Sequence, residues 1–180
     1  YRALLGGTQA SSLESLHQAE SALFGKAEEG GALATRLQSA ENQQTKAYEK
    51  DQAIRTPKGD FLPTGKDYLL WSMSSTGKPG TPRFQPARQY IEPGSRFKFT
   101  LSAKLDAAVV KKSEAAFWLL ANLGAVGARA NRGAGSFQAM GNVHFRIASS
   151  VEELQSYLHL GLARCLEQAG GTWRSISNDE

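Results

Sequence analysis

The residues best suited to chemistry in this 180-residue chain lie between Leu123 and Phe137. There Gly124, Gly127, Gly133 and Gly135 are interleaved with Arg129, Asn131 and Arg132, and Ser136 follows. Glycine permits positive φ and puts no side chain between the backbone and a ligand. Successive backbone N–H groups in such a turn form a concave anion site. Two guanidinium forks add permanent charge that matches phosphate oxygens. The chemistry read here is phosphate binding. The plainer reading is a helix C-cap at Gly124 followed by a flexible surface loop.

Two familiar phosphate motifs do not fit. A P-loop needs Gly-Lys-Ser/Thr at the opening of a helix, and no lysine follows Lys112. A dinucleotide fingerprint runs strand, glycines, helix. Here the apolar run Ala115–Ala121, read as a helix, comes first, and Ser136–Met140 reads as a short strand after the glycines.

The elements that would position this loop follow from patterning. Tyr1–Leu5 reads as the end of an apolar helix, in a chain that starts without Met as a fragment would. Ser11 and Glu14 have capping-box spacing for a helix closed by Gly25. His17 lies on or beside its apolar stripe. Ala32–Ser39 alternates as a half-exposed strand. Ala40–Lys58 is rich in Gln, Lys, Glu and Asn and reads as a long exposed loop or mobile insertion, about 40–60. Phe61–Gly65 reads as a turn and Tyr68–Trp71 as a short buried element. Arg96–Ala103 alternates strictly and is the clearest strand, with Arg96 and Lys98 on its polar face. Ser113 is placed as the N-cap of a helix over Glu114–Leu123. Val143–Ile147 alternates again, and Ser150 with Glu153 opens a last helix that ends at Gly170.

The bulk numbers bound the function. Net charge is +4, 41% of residues are hydrophobic and 21% are charged, so one globular domain with an appendage is expected. From Thr81 to Lys104 five bases, including Arg88, Arg96 and Lys98, face one acid. From Gly141 to Glu180 three bases face five acids. The positive field therefore belongs to the middle of the chain, which permits a polyanionic partner without demanding one. The single cysteine, Cys165, suits a reducing compartment, and no membrane span or signal peptide is visible. His17, His144 and His159 lack paired ligand spacing, so neither a metal nor a cofactor is expected.

With these pieces in place the chain resembles the RAMP superfamily of CRISPR RNA-binding proteins. Within it, the likeness is to the family of first subunits of type III-B (Cmr) effector complexes. The resemblance is carried by Tyr1–Leu4, Glu20–Gly25, Tyr68–Trp71, Tyr90–Phe97 and above all Trp118–Arg129 running into Asn131–Ser136. It implies an α+β, ferredoxin-like RAMP domain over 1–140, incomplete at its N-terminus. Residues 141–180 would then be a strand-plus-helix appendage or the start of a second such unit.

It also implies a cytoplasmic, non-catalytic subunit of an antiviral ribonucleoprotein. Such a subunit holds guide RNA, or guide–target RNA, beside other RAMP subunits. Gly124, Gly127, Arg129, Asn131, Arg132, Gly133, Gly135 and Ser136 would grip the RNA backbone, and Arg88, Arg96 and Lys98 would extend the track. Two alternatives stay open. One is a metal-independent guide-processing ribonuclease with His17 as general base. The other is an assembly cap that contacts protein alone through the acidic last helix.

Overall fold

The computed structural model describes residues 12–103 and 106–170. The expectation placed on Tyr1–Leu5 lies outside the described residues. The chain divides into two compact units. The first comprises 1–36, 100–130 and 134–180, and the second 37–99 with 131–133.

Among the described residues, the first element of the first unit is helix α1 (Leu13–Phe24). Its cap is Ser12, one residue beyond the Ser11 of the sequence reading. The Ser12 hydroxyl accepts from the Ser15 amide, and the Ser15 hydroxyl accepts from the Ser12 amide. Two serines three apart serve as well as the Ser/Glu pair, because either side chain can accept a backbone N–H. His17 is exposed on this helix. Strands β1 (Gly25–Lys26) and β2 (Glu29–Gly30) then make a two-residue hairpin.

Helix α3 (Ala107–Leu123) and helix α4 (Val151–Gln168) build the core of this unit. Trp118, Cys165 and Ala115 are fully buried, and Tyr157 nearly so. The Trp118 and Tyr157 rings lie 5.5 Å apart at a tilt. Gly161 makes the close approach possible, since a Cβ there would come 1.9 Å from Trp118 Cζ2. The Cys165 thiol meets the Ala115 carbonyl at 3.5 Å, and burial pushes its pKa up to about 11. Cys165 is thus an inert core residue, as a buried thiol in apolar surroundings should be.

Three sequence expectations change here. Asp106, not Ser113, caps α3, accepting from the Ala108 amide. Ser113 is buried in mid-helix, where its hydroxyl donates to the Val109 carbonyl one turn back. Ser136–Met140 and Val143–Ile147 are irregular rather than strands. Phe137 and Phe145 both stack on Phe117, with centroids 5.7 and 5.5 Å away. One aromatic per segment packs on a helix, and no partner strand forms a ladder with either. The last helix is as expected. Ser150 caps it, accepting from the Glu153 amide, and Gly170 ends it with φ +78°.

The second unit is built differently. Strand β4 (Thr45–Ala47) pairs antiparallel with β7 (Gln89–Ile91), and β5 (Ile54–Arg55) with β6 (Phe61–Leu62). The 40–58 stretch therefore carries strands where a loop was expected, and Phe61–Leu62 is a strand rather than a turn. Polar composition hid them, because both ladders are solvent-exposed and need no apolar alternation. Between them lie helix α2 (Gly65–Leu70) and a 3₁₀ turn, Trp71–Met73. Tyr68 and Trp71 are 67% and 59% exposed, so this element does not bury its aromatics as expected. Among the described residues, the buried ones of this unit are Tyr48 and Asp67.

Strands β3 (Leu33–Glu41) and β8 (Arg96–Ala103) form where alternation predicts strands, and they pair in a further two-stranded ladder, but β3 is exposed after Leu33 rather than half-exposed. Among the described residues every sheet has two strands.

Candidate functional site

The glycine loop leaves α3 at Gly124, whose amide closes the helix on the Leu120 carbonyl at 3.0 Å. The loop folds back on itself. The Val126 amide donates to the Gly135 carbonyl at 2.9 Å, and the Ala134 amide to the Arg129 carbonyl at 3.3 Å. The Ala130 amide donates to Gly127, opening a 3₁₀ turn over Ala130–Arg132. Gly135 is the position that admits no other residue. Its φ is +77°, and a Cβ would sit 1.7 Å from the Val126 carbonyl oxygen. Gly127 and Gly133 also have positive φ, but face open space. Left-handed backbone at three places is what only glycine adopts at low cost.

The cations of the loop differ. Arg129 is half-buried, in the first unit. Arg132 is exposed, and among the described residues no ion pair or hydrogen bond engages its guanidinium. Ser136 is exposed, and Asn131 lies in the 3₁₀ turn. Arg88, Arg96 and Lys98 all belong to the second unit and are exposed. Arg88 is fixed through its backbone, which donates to the Met73 carbonyl and accepts from the Tyr48 amide. Arg96 and Lys98 are two apart on β8 and so share a face.

Charge separates the two units. The second holds eleven Lys/Arg against six Asp/Glu, a net +5. The first holds ten against eleven, a net −1. The whole positive excess of the chain therefore lies in residues 37–99 and 131–133.

A set of residues that sequence reasoning passed over organises the second unit. Tyr48 donates its hydroxyl to Asp67 at 2.5 Å, and the Asp51 amide donates to the other Asp67 oxygen at 3.0 Å. Asp51 in turn accepts from the Thr64 hydroxyl and from Lys66. Burial, together with the Asp67 carboxylate, raises the Tyr48 pKa above the ordinary phenol value. The Lys66 ammonium bonded to Asp51 holds that carboxyl below its usual range, and Asp51 raises Lys66 reciprocally. The spacing Thr64-x-x-Asp67 was the available signal, being a helix-start pattern.

Other surfaces fit a polyanion poorly. An open groove of about 570 Å³ in the first unit is lined by Phe137, Phe145, Ile147, Val151, Leu154 and Tyr157, with Arg146 as its cation. Arg146 is already 3.8 Å from Glu153. The N-terminus of α4 is occupied by its own acid, since Glu153 accepts from the Ser149 amide and hydroxyl. Among the described residues no three His, Cys, Asp or Glu groups cluster as metal ligands. No described helix is long and apolar enough to cross a membrane.

The family model of the RAMP superfamily matches residues 1–138, and so takes in α1, the second unit, α3 and the glycine loop. This chain belongs to the RAMP superfamily. Among characterised RAMP relatives it is similar to the CRISPR system Cmr subunit Cmr1-1 of Pyrococcus furiosus, 29% identical over 141 residues. It is also similar to Cmr1-2 of the same organism, 26% identical over 141 residues. Each match covers 77% of this RAMP chain. The chain spans 36% of the length of the first relative and 75% of the second.

Proposed function

We propose that this RAMP protein is a non-catalytic RNA-binding subunit of a type III CRISPR antiviral effector complex. In that role it holds guide or guide–target RNA by its backbone, alongside other RAMP subunits. The observation that carries this reading is the glycine loop. It is a self-bonded turn with positive φ at Gly127, Gly133 and Gly135 and an exposed Arg132. The likeness to two Cmr subunits supports the assembly, and the +5 charge of the second unit supports a polyanionic ligand. The ferredoxin-like frame belongs to the same proposal, with β3, β8 and α3 as its strand–strand–helix part.

Arg129, Arg132 and the loop amides hold phosphates in this reading, and Arg88, Arg96 and Lys98 extend the track. Contacts of this kind position RNA without reading bases. Guide pairing supplies the sequence readout, as in other RNA-guided systems. Each neutralised phosphate releases counterions, so affinity falls steeply with salt, by about 0.7 in log–log slope per contact on a single strand.

Replacing Arg129 and Arg132 together by Ala therefore weakens single-stranded RNA binding and reduces the salt slope by about 1.4. An unchanged slope refutes the loop as a phosphate site. The non-catalytic assignment is tested by incubating the chain with precursor RNA in EDTA. Cleavage that disappears in His17→Ala would make it a ribonuclease instead.

A further inference from the structure

Helix α2 is built inside out. Tyr68, Leu69 and Trp71 are 67%, 42% and 59% exposed, while the residue turned inward, Asp67, is 6% exposed. A six-residue helix does not persist on its own, because nucleation costs more than so few hydrogen bonds return. Ordinarily an apolar face against a core would hold it. Here polar bonds do so. The Thr64 hydroxyl caps it by accepting from the Asp67 amide. The Asp67 carboxylate accepts from Tyr48 and the Asp51 amide, and Asp51 clamps Thr64 and Lys66. The Lys66 ammonium also lies 5.6 Å over the Tyr48 ring. The result is a short element held from its polar side, with Leu70 half-buried and the Tyr68 and Trp71 rings exposed.

Tyr68 and Trp71 are three residues apart, and Trp71 continues the helical backbone with φ −50° and ψ −35°, so the two leave the helix on one side. They stand on the unit that carries the net +5. On that same unit Tyr90, 38% exposed, sits opposite Lys46 in the β4–β7 register. Exposed rings on a unit of net positive charge match the chemistry of unpaired nucleic-acid bases, which stack on aromatic faces while lysine and arginine follow the phosphates. A protein-docking face would show the same exposed rings, and the charge of the unit favours the polyanion.

We infer that Tyr68 and Trp71 form a stacking platform for unpaired RNA bases, an inference that rests on the RNA-binding reading above. Stacking of this kind tolerates any base, because every base has a π face. It therefore adds affinity without competing with guide pairing for sequence readout.

The test is fluorescence anisotropy with a labelled 15-nucleotide oligoadenylate and its oligouridylate counterpart, titrated with the full chain over a range of salt. Tyr68→Leu and Trp71→Leu keep an apolar side chain and remove the ring. Each should lose about 5- to 150-fold in affinity, the equivalent of about 1–3 kcal/mol per stacked base. The salt slope should stay that of the unaltered chain, since no phosphate contact is removed. Tyr68→Phe and Trp71→Phe keep a ring and should remain within a few-fold. Circular dichroism of each variant verifies that the fold persists.

Normal affinity in the double Leu variant overturns the platform, as does a loss in the Phe variants equal to that in the Leu variants. Unchanged RNA binding with lost self-association in sedimentation assigns the face to protein contact, and also overturns it. Altered salt slope in Arg129→Ala/Arg132→Ala belongs to the loop alone. The platform therefore stands if that slope is normal and the Leu variants still lose affinity. If the unaltered chain binds neither oligonucleotide, the RNA-binding reading and the platform fall together.

Discussion

The two units of this RAMP chain solve the problem of a stable interior in opposite ways. The first buries Trp118, Tyr157, Cys165 and Ala115 between two long helices and carries a net charge of −1. Among the described residues, the second buries a tyrosine and an aspartate, carries +5 and keeps Phe61, Tyr68 and Trp71 exposed. An apolar core is non-directional and tolerates a neutral surface around it. A polar interior is directional and demands that each buried group find its partner. The second unit gives up burial and keeps rings and cations at its surface.

The comparison is broken most sharply in the first unit. Trp118→Ala removes the largest fully buried side chain and should cost about 3–5 kcal/mol by urea denaturation. Gly161→Ala should destabilise by about 1–3 kcal/mol or more, because its new methyl meets the Trp118 ring. A loss below about 0.5 kcal/mol in either would show that the helix pair is not the core of that unit.

In the second unit the sensitive residue is polar. Tyr48→Phe takes one donor from the buried Asp67 carboxylate and should cost about 1–3 kcal/mol. Trp71 fluorescence should report the change, since α2 is held by that carboxylate. Asp67→Asn should also destabilise, because its single amide oxygen accepts from only one of the two donors, the Tyr48 hydroxyl and the Asp51 amide, and its NH2 meets the other.

Acid sharpens the same contrast more gently. The folded pKa of Asp51 is depressed by Lys66, so its contribution is present above the ordinary carboxylate pKa and is lost as pH falls through the folded value. The anchoring of α2 should therefore weaken on acidification below about pH 4, seen as a shift of Trp71 emission. Lys66→Met should abolish most of that acid response. In the first unit the folded pKa of Cys165 is raised to about 11, so its contribution is present below the unfolded thiol value and is lost as pH rises through about 11. At pH 8 its alkylation by iodoacetamide should be far slower in the native chain than in urea.

Much of the first unit was legible before any coordinates. Apolar residues at helical spacing mark α4, Ser150 marks its start and Gly170 its end, because capping and periodicity are local properties. The strict alternation of Arg96–Ala103 announces β8, whose residues fall in both units. The second unit was mostly hidden. Its ladders over 45–47 and 54–55 are exposed and carry no apolar period, and polar composition alone reads as loop. The glycine loop lies between these cases. Its residue types named the chemistry, whereas its closure between Val126 and Gly135 depends on atoms nine residues apart.

The sequence by itself determined the bounds of the last helix, where the positive charge lies, and that a glycine–arginine turn follows an apolar helix. These depend on side-chain type and on neighbours within one turn. Only the tertiary structure decided that Asp106 rather than Ser113 starts α3, that Phe137 and Phe145 serve Phe117 rather than strands, and that Tyr68 and Trp71 face outward while Asp67 faces in. The last two outcomes turn on contacts with residues distant in sequence, Phe117 and Tyr48, and local propensity is silent about which distant partner will be there to meet.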